Sequence, residues 1–376
     1  MKKNKLKILA FYLPQFHTFP ENDLWWGDGF TEWRTVKNAK KYYNGHNQPR
    51  VPLNENYYCL NDNGETIREQ SILAKKYGIY GFCFYHYWFD GKMLMEKPME
   101  ILLDNNDIDI NYCICWANEN WTRAWADKTQ EILIQQTYGD REDWKKHFNY
   151  LLNFFKDSRY ILENNKPIMI IYRPEIISTR KEMFELWNEL ALEHGFDGIK
   201  FIYQQNNYNP ENDIAGDLLE FGIEYQPQCA MDLYKKRKKG IPYLCLTSLN
   251  YLAGKFPIFW SEKVAFKYSY DRLWQSILKD FPKKKNMYPG GFVDWDNTPR
   301  HKRRGSFCEG VTPEKFEEYL TKLVLKTKTI YKVNYIFLFA WNEWGEGGYL
   351  EADEKNKYRM LESVKNALIN NGEFYE

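Results

Sequence analysis

The chain has 376 residues, a length that suits one barrel domain with long loops and that can bury a large core without metals or disulfides. Its 52 lysines and arginines nearly balance 51 aspartates and glutamates, so the formal net charge is +1. Nucleic-acid binding needs a clustered basic excess, and the balanced charge argues against it. No run of the sequence approaches the length of a membrane span.

The start of the chain has the basic tip and apolar run that signal peptides also have. The apolar run Ile8–Leu13 is short, however, and Pro14 and Gln15 follow it without a small-residue cleavage site. We therefore expect a first β-strand there. The seven cysteines show no zinc-ligand spacing, and three fall within apolar runs. These features predict a cytoplasmic, reducing location.

Short apolar runs alternate with amphipathic stretches along most of the chain, which is the pattern of repeated βα units. Several runs are apolar on both faces, as buried parallel strands are. The predicted strands are Lys7–Leu13, Ile79–Tyr85, Asn111–Trp116, Pro167–Tyr172, Ile199–Tyr203, Phe221–Tyr225, Gly291–Trp295 and Tyr335–Ala340.

Between these strands, apolar residues recur at helical spacing. Four clear stripes run from Trp144 to Phe155, from Met183 to His194, from Phe316 to Val324 and from Leu361 to Leu368. The third stripe begins with the capping pair Thr312-Pro313.

Eight βα units predict an α/β fold, a (β/α)8 TIM barrel with long βα loops, as a single domain over residues 1–376. The alternative is an open, doubly wound sheet. Such sheets carry a glycine-rich phosphate loop after the first strand. Here Leu13-Pro14-Gln15-Phe16-His17 occupies that position, which favours the barrel.

Polar and aromatic side chains accumulate directly after the predicted strands, and in a barrel these positions meet on the face that holds the active site. Aromatic rings are frequent, with 14 Trp, 29 Tyr and 24 Phe, and they suit sugars because their faces stack on sugar C–H groups. We predict the following glycan-binding residues: Tyr12, Gln15, His17, Tyr85, His86, Trp88, Trp116, Asn118, Glu119, Tyr172, Arg173, Gln204, Asp294, Trp295, Arg300, Trp341 and Asn342.

The segment Trp341–Gly347 after the last strand contains two glutamates. In an extended strand, side chains at i and i+3 point to opposite faces, so Glu343 and Glu346 share a cavity only if the chain turns near Gly345. Two convergent carboxyls are the usual equipment for breaking a glycosidic bond. We predict Glu343 and Glu346 as the catalytic pair, against the alternative of a salt-bridged or helix-capping pair.

A third glutamate offers a different pairing. Glu119 follows Asn118 at a predicted strand end, a position from which it could act as general acid with Glu343 as nucleophile. Alternatively, Glu119 pairs structurally with Arg123 or Arg173.

Metal and cofactor sites are not predicted. His17 and His86 lack metal-ligand spacing, and hydrogen bonding to sugar hydroxyls suits them better. Asp294-Trp295-Asp296 matches the short acidic pattern by which many nucleotide-sugar transferases hold a divalent ion, but two aspartates around one residue often arise by chance. Arg173 and Arg300 fit either an anionic substrate group or a salt bridge at the barrel rim.

Four separated segments together resemble the WbsX family, whose members occur among bacterial O-antigen and polysaccharide genes and are often labelled glycosyltransferases. The segments are Ala10–His17, Trp116–Trp121, Asp296–Arg300 and Trp341–Gly347. The WbsX family is similar in turn to the endo-α-mannosidases of glycoside hydrolase family 99, and this likeness implies a (β/α)8 barrel.

The resemblance also implies catalytic roles. A glutamate at the position of Glu343 acts as a base on the sugar 2-hydroxyl and gives a 1,2-anhydro intermediate, with net retention. A glutamate at the position of Glu346 acts as general acid and then as base. Gly345 departs from the endo-α-mannosidase pattern, which has a bulkier polar residue there.

We therefore expect a retaining glycosidase that acts on a manno- or rhamno-configured glycan. One alternative is a nucleotide-sugar-dependent glycosyltransferase of polysaccharide assembly, suggested by the family label, the expected location and the pair Asp294 and Asp296. Another is a glycan-binding barrel without catalytic activity. A glycan is the only partner predicted, and the sequence makes no prediction of oligomeric state.

Overall fold

The computed structural model describes residues 5–123, 131–206, 218–237, 248–249, 252, 256 and 265–374. All eight predicted strands are present, and each pairs in parallel with its neighbours. They are β1 (Lys7–Tyr12), β2 (Ile79–Phe89), β3 (Asn111–Trp116), β4 (Lys166–Ile171), β5 (Lys200–Gln205), β6 (Phe221–Glu224), β7 (Met287–Tyr288 and Gly290–Phe292) and β8 (Tyr335–Phe339).

The barrel closes through β7, which Pro289 divides into two segments. The first segment pairs with β6 and the second with β8, so the order β1 to β8 is continuous around the ring. Proline cannot donate a ladder hydrogen bond, but the carbonyl of Pro289 still accepts one from the Phe337 amide at 3.1 Å. The predicted barrel is thus confirmed over the open sheet.

Helices lie between and outside the strands. The helices are α1 (Pro20–Trp26), α2 (Glu32–Lys37), α3 (Glu65–Lys76), α4 (Lys97–Asp104), α5 (Arg141–Phe155), α6 (Arg180–Glu193), α7 (Gln228–Arg237), α8 (Tyr270–Asp280), α9 (Thr298–His301), α10 (Pro313–Lys326) and α11 (Arg359–Asn370).

The predicted apolar stripes lie on α5, α6, α10 and α11 and form most of the buried face of each helix. Thr312 caps α10 as expected, its hydroxyl accepting from the Lys315 amide at 3.3 Å. Among the helices that the structure describes, each is too short or too polar to cross a membrane.

Long loops at the carboxyl ends of the strands carry short antiparallel strands. One addition was not predicted: β2 continues to Phe89, four residues beyond its expected end, because its last residues pair with Lys92–Leu94. Two other antiparallel pairs at this end join Trp121–Thr122 to Ile132–Ile134 and Asn342–Glu343 to Gly348–Tyr349. Phe266–Ser269 pairs in parallel with Ser306–Glu309. At the opposite end of the barrel, Leu162–Glu163 forms a hairpin with the start of β4.

Most of the described cysteines are buried as small core residues. Cys83, Cys113 and Cys115 lie in the barrel strands, and Cys229 is buried at α7. Cys59 is exposed, and Cys245 lies outside the described residues.

Candidate active site

A cleft of about 180 Å³ opens at the carboxyl ends of the strands, the face where barrel enzymes place their active sites. Both predicted catalytic glutamates line it, together with Glu119, Arg300 and several tyrosines. The lining residues are Leu13, Tyr85, Tyr87, Ala117, Glu119, Asn120, Trp121, Thr122, Tyr172, Tyr225, Gln228, Arg300, Glu343 and Glu346.

The chain turns between the two glutamates, as their spacing requires. Residues Trp344–Glu346 form a 3-10 turn that joins the short antiparallel strands Asn342–Glu343 and Gly348–Tyr349. Gly347 ends this turn with φ of +69°, a left-handed conformation that favours glycine. The turn brings both carboxyls into one cleft.

Arg300, on α9 after β7, joins three carboxyl groups. Its Nη2 lies 3.0 Å from Glu343 Oε2, its Nη1 lies 2.8 Å from Glu346 Oε1, and its Nε lies 2.9 Å from Glu32 Oε1. Arg300, Glu32 and Glu343 are buried, whereas the Glu346 side chain is 20 % exposed. Water reaches Glu346 more readily than the other two carboxyls.

One cation cannot neutralise three carboxylates of which two are buried, so this cluster favours bound protons. The pKa of Glu343 is raised to about 8, mainly by burial; Arg300 opposes the shift, and the neighbouring Glu346 and Glu32 add to it. Burial also raises the pKa of Glu32 against the opposing effect of Arg300. The cluster therefore favours the protonated form of Glu343.

Glu32 is a site residue that the sequence analysis missed. It begins α2, in the loop after β1, and its amide donates to the Gln15 carbonyl at 3.0 Å. Its carboxyl occupies the space beside Gly345, since a Cβ at that glycine would lie 1.9 Å from Glu32 Oε1. The departure at Gly345 from the endo-α-mannosidase pattern was the available signal, because a missing side chain beside the two predicted catalytic glutamates leaves room for another group.

Replacing Gly345 with alanine should therefore disturb the cluster. The new Cβ would also lie 2.7 Å from Arg300 Nε, and inserting a methyl group into a packed site costs about 1–3 kcal/mol. We expect Gly345→Ala to lower the free energy of unfolding by that amount, as measured by urea denaturation. In a Glu32→Ala background most of this cost should disappear, and additive losses would contradict the contact.

The end of β2 places alternate side chains on opposite sides of the barrel wall. Tyr85 and Tyr87 face the cleft, and the Tyr85 hydroxyl lies 3.0 Å from that of Tyr225. His86 and Trp88 were predicted to bind sugar but face the helix layer, where both pack on His147. Tyr87 was missed, although period-two alternation from Tyr85 indicates it.

Glu119 lines the same cleft, at the end of β3. Its carboxylate lies 3.3 Å from Arg173 Nη1, and Arg173 Nε also contacts Glu175 at 2.5 Å. Burial raises the pKa of Glu119 and Arg173 lowers it, although the side chain is still 45 % exposed. The ion pair with Arg173, one of the structural alternatives to a general-acid role for Glu119, is present, and the carboxyl also remains open to the cleft.

Several predicted sugar-binding residues instead support the cleft from below. Asn342 exchanges two hydrogen bonds with the Leu13 backbone at 2.7 and 2.9 Å, which ties β8 to β1. Asn118 does the same with the Arg173 backbone at 2.7 and 2.8 Å. Trp116 and Trp341 are fully buried beneath these contacts.

The remaining predicted residues near β1 and β5 are also buried outside the cleft lining. The Tyr12 hydroxyl donates to Gln70 Oε1 at 2.6 Å. His17 Nδ1 lies 2.9 Å from the Pro14 carbonyl, and burial lowers the His17 pKa to about 4. Gln15 is buried. Gln204 Nε2 donates to Asn206 Oδ1 at 2.9 Å.

The acidic pair after β7 is engaged within the protein. Asp294 pairs with Arg50 at 2.8 Å, and Asp296 Oδ2 lies 2.9 Å from His46 Nε2. Trp295 Nε1 donates to Ser306 Oγ at 2.9 Å. In the part of the chain that the structure describes, no three His, Cys, Asp or Glu side chains form a group able to hold a metal ion.

Solved structures similar to this chain include glycoside hydrolases. The endo-α-mannosidase of glycoside hydrolase family 99 from Bacteroides thetaiotaomicron is 13% identical, with a TM-score of 0.56 over 98% of this chain and 97% of that one. A glycoside hydrolase-like protein is 12% identical, with a TM-score of 0.58 over 100% of this chain and 95% of that one. At these identities the likeness establishes the shared barrel fold.

Sequence comparison gives the family. An uncharacterized protein WxcX from Xanthomonas campestris pv. campestris is 31% identical over 366 residues, which is 96% of this chain and 49% of that protein. A second strain has an equally similar protein, so the chain spans about half the length of these relatives. The model of the family glycosyltransferase WbsX matches residues 8–364. The chain therefore belongs to the WbsX family.

Proposed function

We propose that this protein is a retaining glycoside hydrolase that acts on manno- or rhamno-configured glycans. The observation that carries the proposal is the convergence of Glu343 and Glu346 on Arg300 inside a tyrosine-lined cleft. Two carboxyls with different environments are what glycosidic bond cleavage requires. The fold shared with endo-α-mannosidases agrees with this activity.

In the proposed first step, Glu343 removes the proton of the sugar 2-hydroxyl. The 2-oxygen attacks the anomeric carbon as the bond to the leaving oxygen breaks, and Glu346 protonates that oxygen. The 2-oxygen must approach from the face opposite the leaving group, which α-mannosides and α-rhamnosides permit. The raised pKa of Glu343 makes its carboxylate a stronger base for this hydroxyl.

In the second step, Glu346 takes a proton from water, which attacks the anomeric carbon and opens the 1,2-anhydro ring. Glu343 returns its proton to the 2-oxygen. Two inversions give net retention. The greater exposure of Glu346 suits the group that must meet the leaving oxygen and then water. Tyr85, Tyr87, Tyr172 and Tyr225 line the cleft and offer hydroxyls and aromatic faces to the sugar.

Mass spectrometry of manno- and rhamno-configured oligosaccharides incubated with the protein tests the proposal. We expect chain shortening by the wild-type protein, and products that incorporate one ¹⁸O from labelled water at the new reducing end. Proton NMR at early times should give the α-anomer first. No shortening of any manno- or rhamno-configured glycan would contradict the proposal.

The family name supports a glycosyltransferase as the second candidate. The divalent-ion site expected for a transferase has less support, because its two carboxylates already have partners within the protein. Asp294 pairs with Arg50, and Asp296 contacts His46 and Gln48. Calorimetric titration with nucleotide sugars, with and without a divalent ion, separates the two activities. Ion-dependent binding together with no glycan shortening would favour the transferase.

The pH dependence of kcat/KM tests whether the reaction uses Glu343 with its raised pKa of about 8. The proposed first step needs one proton on the carboxyl pair, held by Glu346 while Glu343 is ionised. Loss of that proton stops the reaction, so we expect kcat/KM to fall as the pH rises through about 8. A profile that stays flat through this range would contradict a catalytic role for the carboxyl with the raised pKa.

A further inference from the structure

Glu351 is a buried carboxyl that the proposed reaction does not use. It follows the short strand Gly348–Tyr349 and is 9 % exposed. Its Oε2 accepts hydrogen bonds from Trp344 Nε1 at 2.6 Å and from the Tyr58 hydroxyl at 2.8 Å. Its Oε1 accepts one from Gln70 Nε2, on α3, at 2.7 Å. All three donors are neutral, so these contacts orient the carboxyl without neutralising its charge.

The surroundings of this carboxyl favour a role other than stabilising the fold. Removing a carboxylate from water is unfavourable, and hydrogen bonds from neutral groups offset only part of that effect. An apolar side chain of similar volume would often stabilise the same space as well or better. A carboxyl instead fixes the direction of its partners, because its two oxygens accept hydrogen bonds with defined geometry. The identity of those partners therefore indicates what Glu351 does.

One of the three donors belongs to the turn that carries the catalytic pair. Trp344 directly follows Glu343 and begins the 3-10 turn that ends at Glu346. The Glu351 amide also donates to the Trp341 carbonyl at 3.2 Å. Glu351 thus contacts the chain on both sides of Glu343, through its backbone before that residue and through its carboxyl after it.

Tyr58 extends these contacts to the helix that carries Glu32. Its hydroxyl also accepts from Asn342 Nδ2 at 3.4 Å, and its carbonyl accepts from Trp33 Nε1 at 2.8 Å. Trp33 follows Glu32 on α2, and its ring centre lies 5.3 Å from that of Trp344. The network therefore connects the catalytic turn to the segment that supplies the third carboxyl.

We infer that Glu351 is a positioning residue, which fixes the backbone of the turn so that Glu343 and Glu346 keep their geometry at the sugar. It acts through the Trp344 indole and lies outside the described lining of the cleft. Arg300 holds the two catalytic carboxyls at their tips, whereas Glu351 holds the chain between them. The inference rests on the proposed hydrolase function.

The kinetics of Glu351→Ala test the inference. A displacement of about 1 Å at a catalytic group lowers the rate about a hundredfold, and we expect a loss of that size in kcat on a manno- or rhamno-configured glycan. The dissociation constant of the glycan, measured by calorimetry in a Glu346→Gln background, should change less than about threefold, because the contacts of the cleft walls remain. Unchanged kcat would overturn the inference.

Two further variants separate positioning from stability. Glu351→Gln keeps a side-chain oxygen that can accept from Trp344, so its kcat should recover to within about tenfold of the wild-type value. Glu373→Ala removes another buried carboxyl, which accepts from the Leu6 amide at 2.6 Å just before β1, at the opposite end of the barrel. It should lower the thermal midpoint but not kcat. An equal loss of kcat in Glu373→Ala would attribute the effect of Glu351→Ala to stability and overturn the inference.

Trp344→Phe tests the same contact from the other side. Phenylalanine keeps a ring that can stack on Tyr349, whose centre lies 3.7 Å from that of Trp344, but it has no N–H donor. This substitution should lower kcat about tenfold in the wild-type protein. In a Glu351→Ala background it should have little further effect, because the hydrogen bond is already absent. Equal losses in the two backgrounds would contradict action through this bond.

Crystal structures of the wild-type protein and of Glu351→Ala decide the question without turnover. We expect the turn to shift and the contact between Arg300 Nη1 and Glu346 Oε1, which is 2.8 Å in the native protein, to lengthen beyond hydrogen-bonding distance. A turn in its native position would overturn the inference. A shifted turn in a protein whose wild type hydrolyses no glycan would support the positioning role while contradicting the hydrolase.

Discussion

Glu346→Gln should lower kcat on a natural glycan at least about a thousandfold, because a general acid and base contributes roughly that much. Glutamine keeps the size of the side chain and can still accept a hydrogen bond from Arg300 Nη1, which lies 2.8 Å from Glu346 in the native protein. Affinity for the intact oligosaccharide should change little. Stopped assays for turnover and calorimetry for binding measure the two effects separately.

Glu343→Gln is the matched control for Glu346→Gln. A substrate with an activated leaving group distinguishes the general acid from the base that acts on the 2-hydroxyl. A dinitrophenyl α-mannoside needs no protonation of its leaving oxygen, so Glu346→Gln should release dinitrophenol at a rate much closer to that of the wild-type protein. Glu343→Gln should lose activity on both substrates, because the 2-hydroxyl still has to be deprotonated. The reverse pattern would exchange the roles, and wild-type turnover by Glu346→Gln on the natural glycan would exclude it from catalysis.

Arg300→Met should be the most destabilising single substitution in the site. Arg300 is 5 % exposed and pairs with Glu32, Glu343 and Glu346. Removing one side of a buried ion pair leaves charge without a partner and costs about 3–5 kcal/mol. We expect a loss of that size in the free energy of unfolding at pH 7.5, measured by urea denaturation.

The loss should shrink as the pH falls. Burial already raises the pKa values of Glu343 and Glu32 and Arg300 opposes the shift, so without Arg300 these values rise further above those of the unfolded state. Such groups favour the folded state only while they are protonated. Acidification towards pH 5 should therefore restore much of the stability of the variant. Arg68→Met is the control, because the pair of Arg68 with Asp107 is exposed. A loss at Arg300 that does not depend on pH would point to packing instead of charge.

The barrel could be predicted because its strands are short, apolar and regularly spaced. All eight were placed correctly, and β3 matched to the residue. The errors in length arose where tertiary contacts act: β2 is extended by its hairpin partner Lys92–Leu94, and β7 is divided at Pro289. A single sequence does not reveal such partners, because they lie across a turn or on another strand.

The candidate site was harder to predict from sequence, because a residue at a strand end can face the cleft, the helices or the core. Glu343, Glu346, Tyr85, Tyr172, Glu119 and Arg300 line the cleft as expected. His86, Trp88 and Trp116 face the helix layer instead, although they occupy neighbouring positions. Successive side chains of a strand point to opposite faces. Tyr85 and Tyr87, two residues apart, therefore both face the cleft.

Glu32 shows a second limit of sequence analysis. It lies on a short helix in the loop after β1, outside any recognised motif, and reaches the site through a contact that spans 268 residues of sequence. Nothing local to α2 indicates this contact. The absence of a side chain at Gly345, near the opposite end of the chain, leaves room for the Glu32 carboxyl.

The three carboxyls joined by Arg300 come from loops after the first and last barrel strands, while Arg300 itself follows β7. Contacts between such distant parts of a chain carry a large loop-closure entropy and tend to form late in folding. The buried charge cluster therefore assembles only as the first and last βα units come together. During refolding, catalytic activity should return with that closing step, after most of the helical circular dichroism signal has been regained.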